Sequence, residues 1–214
     1  MTILETYERW AGTYPPTPHN PVMLAEQSVV EPLLRRLRPR RALDVGTGSG
    51  RYANILRSAG ASVVGVDFSR AMLARGTDRR VCGDARQLPF RNASFDLVNA
   101  SLMVGDIDDL AAWAAEAARV ASAGGHVVYS DFHPSWATNG WRRTFTAADG
   151  AQFELPIESH TIEQHVATLE RAGLRVRSIC EPCVGASEDP AVNAFRRRWR
   201  DAPVVVVLHA VKEP

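Results

Sequence analysis

The chain has 214 residues, of which 45% are hydrophobic and 23% are charged, a composition that is ordinary for a globular protein. Its length is within the range of a single domain with a sizeable core. The formal net charge of +1 provides no overall field for nucleic acid or an anionic membrane, and no apolar run approaches the ~18 residues of a membrane span. Since the N-terminus also lacks the apolar core of a signal peptide, we expect a cytoplasmic protein that engages neither a membrane nor a polyanion.

The first 38 residues predict two helices before any strand. Tyr7, Trp10 and Tyr14 fall at helical spacing and give the first helix an aromatic face, after which a proline-rich turn follows. Aliphatic residues recur at helical spacing from Val22 to Leu37, and Pro39 ends this second helix. We expect the second helix to pack on a sheet that begins at residue 41.

The stretch from Arg41 to Ala53 predicts a strand, a tight loop and a helix. Its loop carries three glycines at alternate positions: Gly46, Gly48 and Gly50. A backbone that turns sharply while a ligand approaches its amides has no room for Cβ atoms, and unpaired amides at a helix start point at that ligand. A dinucleotide fingerprint would need glycine where Arg51 stands. Asp44 would repel a pyrophosphate but suits an ammonium group. By itself, a glycine turn that binds no ligand stays an alternative.

Strands and helices then alternate. The predicted strands are 41–46, 62–67, 79–83, 95–101 and 125–131, and the helices between them are 49–59, 69–75 and 108–121. Such alternation requires right-handed crossovers and a largely parallel sheet that is covered on both faces. The ligand crevice then lies beyond the carboxyl ends of the strands, where strand order reverses. The residues expected around it are Gly46 to Gly50, Asp67, Asp84, Leu102 to Asp106 and Asp131 to His133.

Four motifs resemble those of the class I S-adenosylmethionine-dependent methyltransferases, in particular small bacterial members of the type 11 kind. The run Asp44-x-Gly46-x-Gly48-x-Gly50 resembles the family's first motif, and Asp67, 21 residues after Gly46, ends the second strand. Gly83-Asp84-Ala85 and the strand Phe95 to Ala100 follow in the family's order. The resemblance implies an α/β fold: a Rossmann-like three-layer sandwich whose seven-stranded, mostly parallel sheet has the order 3-2-1-4-5-7-6, with N-terminal lid helices.

The resemblance implies S-adenosyl-L-methionine as cofactor and S-adenosyl-L-homocysteine as product. In the family the second-strand acid accepts from both ribose hydroxyls, and the acid of the third motif accepts from the adenine amino group. The aromatic N-terminal pattern resembles a lid, in which Tyr14 would contact the sulfonium or the amino acid end; plain packing is the alternative. The expected cofactor contacts are Tyr14, Asp44, Gly46, Thr47, Gly48, Gly50, Asp67, Phe68, Asp84, Ala85 and Ser101.

Residues 132–160 interrupt the alternation, and a long excursion in a compact α/β domain is more often functional than idle. Trp136, Trp141 and Phe145 predict an aromatic wall for a flat, apolar acceptor, and Arg142 and Arg143 are candidates to bind a carboxylate or phosphate on it. The aromatic residues could equally hold the insertion down. A helix at 161–172 and strands at 174–181 and 202–211 complete the chain. We therefore expect one domain, 1–214, with lid helices (1–38), a cofactor-binding core (40–131), a substrate-side insertion (132–160) and a C-terminal helix and hairpin (161–214).

Methyl transfer is an in-line displacement in which the protein mainly aligns the reactants, and a base is needed only if the nucleophile must lose a proton. His133, at the end of the fifth predicted strand, is the preferred base, and His19 in the N-terminal turn is the second. A loop histidine bonded to backbone is the alternative for His133. No acid completes a metal site around Asp131 and Asn139, so no metal is expected.

The function expected from the resemblance is O- or N-methylation of a small organic acceptor, with a role in secondary metabolism. One alternative is a cofactor-binding fold that transfers no methyl group, serving as a scaffold or in a cyclisation. The basic run at 195–200 leaves methylation of a tRNA or of a carrier-protein-bound substrate open, although such a run is usually a solvated helix face. Nucleic acid is not the expected partner, and a homodimer stays open.

Overall fold

The computed structural model describes residues 2–76, 79–199 and 202–213. Nine strands are found there: β1 Arg41–Val45, β2 Ser62–Asp67, β3 Arg80–Cys82, β4 Phe95–Ser101, β5 Ala121–Phe132, β6 Arg143–Thr146, β7 Gln152–Leu155, β8 Leu174–Cys180 and β9 Val205–Lys212. The same residues form eight α-helices: α1 Ile3–Trp10, α2 Pro21–Leu37, α3 Arg51–Ser58, α4 Arg70–Leu73, α5 Leu110–Val120, α6 Ser135–Asn139, α7 Ile162–Arg171 and α8 Pro190–Arg198.

One seven-stranded sheet runs through the molecule in the order β3-β2-β1-β4-β5-β9-β8. The pairs from β3 to β5 are parallel, whereas β9 is antiparallel to both of its neighbours. Because β6 and β7 pair only with each other, β8 and β9 are the sixth and seventh strands of the main sheet. The predicted order 3-2-1-4-5-7-6 is therefore confirmed.

Apolar residues cover both faces of the sheet, as a largely parallel sheet requires. On one face α5 and α7 pack against the strands through Trp113 and Leu169. On the other face α2 and α3 contribute Leu34 and Leu56, and α8 contributes Val192. The predicted three-layer sandwich is confirmed. No helix of the described ranges is long and apolar enough to cross a membrane.

Helix boundaries follow local capping. The Asn20 side chain accepts a hydrogen bond from the amide of Met23, and Pro21 occupies the first turn of α2. Thr2 and Glu5 form a capping box at the start of α1, so this short helix has its own N-terminal signal. These caps determine where the two N-terminal helices begin beside the sheet.

The segment 132–160 is more regular than its sequence suggests. It contains α6 and the β6–β7 hairpin, neither of which was predicted, because runs of four or five residues carry too little periodicity to be recognised. The fifth strand also begins at Ala121 rather than at 125, with a register irregularity opposite residues 95–97. The hairpin brings the insertion toward the N-terminal helix.

Candidate cofactor and acceptor cavity

A cavity of about 640 Å³ lies beyond the carboxyl ends of β1, β2 and β4, which is where a ligand crevice was predicted. The glycine loop after β1 forms one wall, the N-terminal segment covers it, and the insertion lies on the remaining side. Pockets for small molecules and cofactors fall in this range of volume. The cavity therefore has room for a nucleoside cofactor and part of an acceptor.

The glycine loop folds tightly against neighbouring side chains. Gly46 has φ 64°, and a Cβ there would lie 2.7 Å from the Cγ of Met103. Gly48 has φ 53°, and its amide donates to Oδ2 of Asp67 at 2.9 Å. Both positions therefore need glycine because their φ angles are positive. At Gly46 there is also no space for a Cβ atom.

Asp44 lies buried below this loop and holds it in place. Its Oδ1 accepts from Nδ2 of Asn99 at 2.8 Å, and its Oδ2 accepts from Oγ1 of Thr47 at 2.7 Å and from the amide of Ala53 at 3.1 Å. Burial raises the pKa of Asp44 above its ordinary value, while these hydrogen bonds and nearby Arg51 act to lower it. Asp44 also lines the cavity, so the carboxylate that organises the loop stands at the cavity wall.

Asp67 ends β2 with its carboxylate at the cavity. It accepts from the amides of Gly48 and Ser69, each at 2.9 Å. Burial raises the pKa of Asp67 to about 6, against the opposing effect of these two amides. Phe68 follows it, and the Phe68 ring makes an edge contact with Tyr7 at 5.7 Å between centroids.

Asp84 is exposed at the cavity rim and is bound by an arginine that the sequence analysis did not name. Nη2 of Arg86 lies 2.7 Å from Oδ2 of Asp84, and Nη1 lies 2.6 Å from Oδ1 of Asp108. The hydrogen bonds from Arg86 lower the pKa of Asp84. An adenine amino group would therefore have to share this carboxylate with Arg86.

Most of the residues predicted for the site surround this one cavity. Those that line it are Tyr14, His19, Asp44, Gly46, Thr47, Gly48, Asp67, Phe68, Asp84, Ala85, Ser101, Trp136 and Arg142. Four others lie outside the lining: Gly50, which is the N-cap of α3, and His133, Trp141 and Phe145.

His133 directly follows β5 and lies outside the cavity lining. Its Nε2 is 2.8 Å from Oε2 of Glu181, and its Nδ1 accepts from the amide of Ser135 at 3.1 Å. Its backbone amide donates to Val204, which precedes β9. Because both ring nitrogens have partners away from the cavity lining, the geometry fits the alternative, a loop histidine bonded to its surroundings.

The predicted aromatic wall is only partly at the cavity. Trp136 lines it and donates from Nε1 to the carbonyl of Val204 at 2.9 Å. Trp141 packs against Trp136 and Trp199, with centroids 4.4 Å apart in each case, and so joins the insertion to the end of α8. Phe145 instead stacks on Trp10 of α1 at 4.9 Å. These two rings hold the insertion down, which was the alternative interpretation.

Arg142 lines the cavity but lies largely in solvent. Its side chain is 73% exposed, and its Nη1 pairs with Oε2 of Glu154 at 2.9 Å. Its neighbour Arg143 is largely buried, with a side chain that is 10% exposed.

Tyr7, Asp106 and Arg143 form a mostly buried polar cluster on the cavity wall that the sequence analysis missed. The Tyr7 hydroxyl donates to Oδ2 of Asp106 at 2.6 Å, and Nη1 of Arg143 donates to Oδ1 at 2.5 Å; Arg143 also contacts the Tyr7 hydroxyl. Burial raises the pKa of Tyr7. The cluster joins three elements: α1, which carries Tyr7; the short 3-10 turn that follows β4 and carries Asp106; and β6, which begins at Arg143. In the sequence, Tyr7 belongs to the aromatic face of the first helix, Asp106 to the loop after β4 and Arg143 to the insertion. No sequence pattern connects these three segments.

The described residues contain no group of three or more histidine, cysteine, aspartate or glutamate side chains that could hold a metal ion. Cys82, Cys180 and Cys183 are free and exposed.

The fold and cavity define a Rossmann-like α/β protein with its ligand crevice at the switch point of the sheet. The Methyltransferase domain family matches residues 43–129. A demethylmenaquinone methyltransferase of Mycolicibacterium gilvum is 41% identical over 178 residues, which cover 81% of this chain and 77% of that protein. The chain therefore belongs to the class I S-adenosylmethionine-dependent methyltransferases, and the resemblance seen in its motifs is confirmed.

Coverage differs among the relatives. A demethylmenaquinone methyltransferase of Beutenbergia cavernae is 39% identical over 103 residues, and the chain spans only 43% of that protein's length. The crystal structure of an S-adenosylmethionine-dependent methyltransferase from Mesorhizobium loti has a TM-score of 0.65 and 24% identity, over 84% of this chain and 96% of that one. The structural likeness supports the fold.

Proposed function

We propose that the protein transfers the methyl group of S-adenosyl-L-methionine to oxygen or nitrogen of a small organic acceptor, in secondary metabolism. One observation carries the proposal: Asp44, the glycine loop, Asp67 and Asp84 all line the same cavity, next to a second region walled by aromatic residues. The bound cofactor would supply an electrophilic methyl group, so the chain has only to hold, orient and shield the two reactants.

The donor set fits this cofactor. Asp67 is a buried acceptor whose raised pKa reflects desolvation, and a ribose diol provides two hydroxyl donors for it. Asp84 and the amide of Ala85 would serve the adenine edge. Asp44 would face the ammonium group of the methionine end, and Tyr14 would cover that end from the N-terminal segment.

The acceptor region favours a neutral, flat molecule. Rings of Tyr7, Trp10, Phe132 and Trp136 line the cavity. Arg143, a buried arginine of this region, already uses both terminal nitrogens on Asp106, at 2.5 and 3.3 Å. Arg143 therefore has little capacity left for an acidic acceptor.

His19 is the base that we propose for an acceptor that must lose a proton. It lines the cavity, and its ring contacts those of Tyr14 and Trp10. Burial lowers the pKa of His19 below its ordinary value, which keeps the ring neutral and able to accept a proton near pH 7.

A quinone acceptor is a second candidate. It is favoured by the name demethylmenaquinone methyltransferase that the Mycolicibacterium gilvum relative carries, at 41% identity over 81% of this chain. The aromatic part of the cavity suits a fused-ring quinol as well as it suits a phenol or an aromatic amine.

The first test is calorimetric titration with S-adenosyl-L-methionine and S-adenosyl-L-homocysteine, followed by an acceptor screen that measures S-adenosyl-L-homocysteine formation. Phenols, aromatic amines and a short-chain demethylmenaquinol form the panel. Micromolar binding with turnover of one class supports the proposal and selects the acceptor. Binding without turnover across the panel favours a scaffold or a cyclisation, and the absence of binding contradicts the cofactor assignment.

A further inference from the structure

Glu26 is a fully buried carboxylate on α2, next to the cavity wall and so far without a role. Its Oε2 accepts from the hydroxyl of Tyr52 at 2.7 Å and from Nη1 of Arg51 at 2.9 Å. Its Oε1 accepts from Oγ of Ser130 at 2.8 Å. A buried charge is tolerated only when it is fully hydrogen-bonded, so these three donors and the carboxylate hold one another in place.

Arg51 is the member of this network that lines the cavity. It is the first residue of α3, directly after the glycine loop, and its side chain is 13% exposed. Its guanidinium lies over the ring of Tyr52, 4.3 Å from the centroid, which also restricts its orientation. The arginine is therefore fixed before a ligand arrives.

Arg51 keeps hydrogen-bond donors for a ligand. An arginine has five N–H donors, and its partners among the described residues, Glu26 at 2.9 Å and Gln27 at 3.4 Å, both contact Nη1. The charge of Glu26 is shared with two hydroxyl donors, so Arg51 supplies only one of its three hydrogen bonds. The groups on Nε and Nη2 are left for a second carboxylate, which a guanidinium can bind in bidentate fashion.

The position of Arg51 matches one end of the cofactor. Arg51 and Asp44 both line the cavity and stand at the two ends of the glycine loop, Asp44 two residues before Gly46 and Arg51 directly after Gly50. The other arginines lie elsewhere: Arg86 at the rim with Asp84, and Arg142 and Arg143 on the insertion. A free α-amino acid group is a zwitterion, and Asp44 and Arg51 present the two complementary charges.

We propose that Arg51 binds the α-carboxylate of the cofactor's methionine moiety, and that Glu26 is a positioning residue that fixes the Arg51 guanidinium. The assignment rests on the proposed function, because it needs S-adenosylmethionine as the ligand. It also gives a reason for arginine at the position where a dinucleotide-binding loop has glycine: the ligand here carries an amino acid in place of a pyrophosphate.

The test compares ligands with and without the carboxylate. Calorimetry measures the binding of S-adenosyl-L-homocysteine, its decarboxylated analogue and methylthioadenosine to the wild type, Arg51→Ala and Arg51→Lys. The wild type should bind the decarboxylated analogue roughly 10- to 100-fold more weakly than S-adenosyl-L-homocysteine, as expected for a charge-assisted pair. In Arg51→Ala that preference should disappear while methylthioadenosine binds as before; Arg51→Lys should keep part of it. Arg57→Ala, on the same helix but outside the cavity lining, is the matched control and should behave as the wild type.

Glu26→Gln tests positioning, because it keeps the shape of the side chain and removes its charge. We expect a higher KM for S-adenosyl-L-methionine with kcat retained, weaker S-adenosyl-L-homocysteine binding and unchanged methylthioadenosine binding. If Glu26 had a purely structural role, the substitution would weaken the binding of S-adenosyl-L-methionine, S-adenosyl-L-homocysteine and methylthioadenosine alike. The proposal is overturned if Arg51→Ala keeps the wild-type preference for the ligand with a carboxylate. It is also overturned if this variant loses as much affinity for methylthioadenosine as for S-adenosyl-L-homocysteine. A wild type that binds none of the three ligands would contradict the proposed function itself.

Discussion

At the scale of single residues, Asp67 shows how burial changes what a carboxylate does. The side chain accepts two backbone amides, yet desolvation dominates and raises its pKa from 3.8 to about 6. A ribose diol donates to the ionised form. At a pH below that pKa, cofactor binding should therefore be coupled to the release of a proton from Asp67.

This predicts a pH-dependent affinity. Above pH 6 the carboxylate is already ionised and affinity should be flat; as the pH falls below 6, binding must first remove a proton and affinity falls. At pH 5 the dissociation constant for S-adenosyl-L-homocysteine should be about tenfold larger than at pH 8, because each pKa unit corresponds to tenfold. Calorimetry across pH 5 to 8 measures this, and Asp67→Asn should remove the step. A wild-type profile that is flat to pH 5 would contradict a raised pKa.

Loss of the Asp67 side chain gives a second prediction. Asp67→Ala should weaken S-adenosyl-L-homocysteine binding by roughly 1 to 3 kcal/mol, the range for losing charge-assisted hydrogen bonds. The Gly48 amide also loses its acceptor, so circular dichroism and thermal unfolding must accompany the titration. Unchanged affinity would show that the ribose binds elsewhere.

The two histidines named as candidate bases from the sequence differ in their surroundings: His19 lines the cavity and His133 does not. His19→Ala should lower kcat by about 100-fold or more if His19 is the base, with little change in cofactor affinity. His133→Ala is the control, and it should leave kcat unchanged since both ring nitrogens of His133 bond away from the cavity lining. The reverse result, with turnover lost only in His133→Ala, would return the base to the strand end.

At the scale of elements, α1 contacts three separate segments around the cavity. Tyr7 bonds to Asp106 after β4, Glu8 accepts from Oγ of Ser69 before α4 at 2.8 Å, and Trp10 stacks on Phe145 of β6. The helix has only eight residues, too few to be stable alone, so these contacts must hold it. This arrangement is what a lid requires: local stability that depends on a few tertiary bonds.

Tyr7→Phe should loosen α1 without removing its ring contacts. The lost hydrogen bond to Asp106 should speed hydrogen exchange of the α1 amides, by roughly tenfold for a contribution of about 1 to 2 kcal/mol. Exchange in α5, on the other side of the β4 turn, should not change.

Deletion of residues 2–18 should abolish turnover, whereas a truncated protein with normal activity would show that the segment only packs.

At the scale of the whole molecule, two apolar layers hold the sheet that presents the loops. Leu34 and Leu24 both lie on α2, but Leu34 is 0% exposed and Leu24 is 47% exposed. Leu34→Ala should lower the free energy of unfolding by about 2 to 5 kcal/mol through a cavity, and Leu24→Ala by less than about 0.5 kcal/mol. Denaturant unfolding measures both. Equal effects would contradict the packing of α2 on this face.

The sequence by itself determined the sheet and the glycine-loop side of the cavity. Long apolar strands, the spacing of Gly46, Gly48 and Gly50, and Asp67 and Asp84 at strand ends are local signals. Because the carboxyl ends of parallel strands meet at one edge, a correct strand order brings these residues together without further information. For the same reason ten of the eleven expected cofactor contacts line one cavity.

Only the tertiary structure decided the insertion side of the cavity and the pairing of its buried charges. His133 stood at a strand end, but its ring nitrogens bond to Glu181 and Ser135, a partner choice that no local pattern encodes. Arg143 and Asp106 are 37 residues apart, and Ser130 and Glu26 are 104 apart. Buried polar groups must find partners wherever the fold supplies them, so such pairs depend on the packing of distant elements rather than on spacing along the chain.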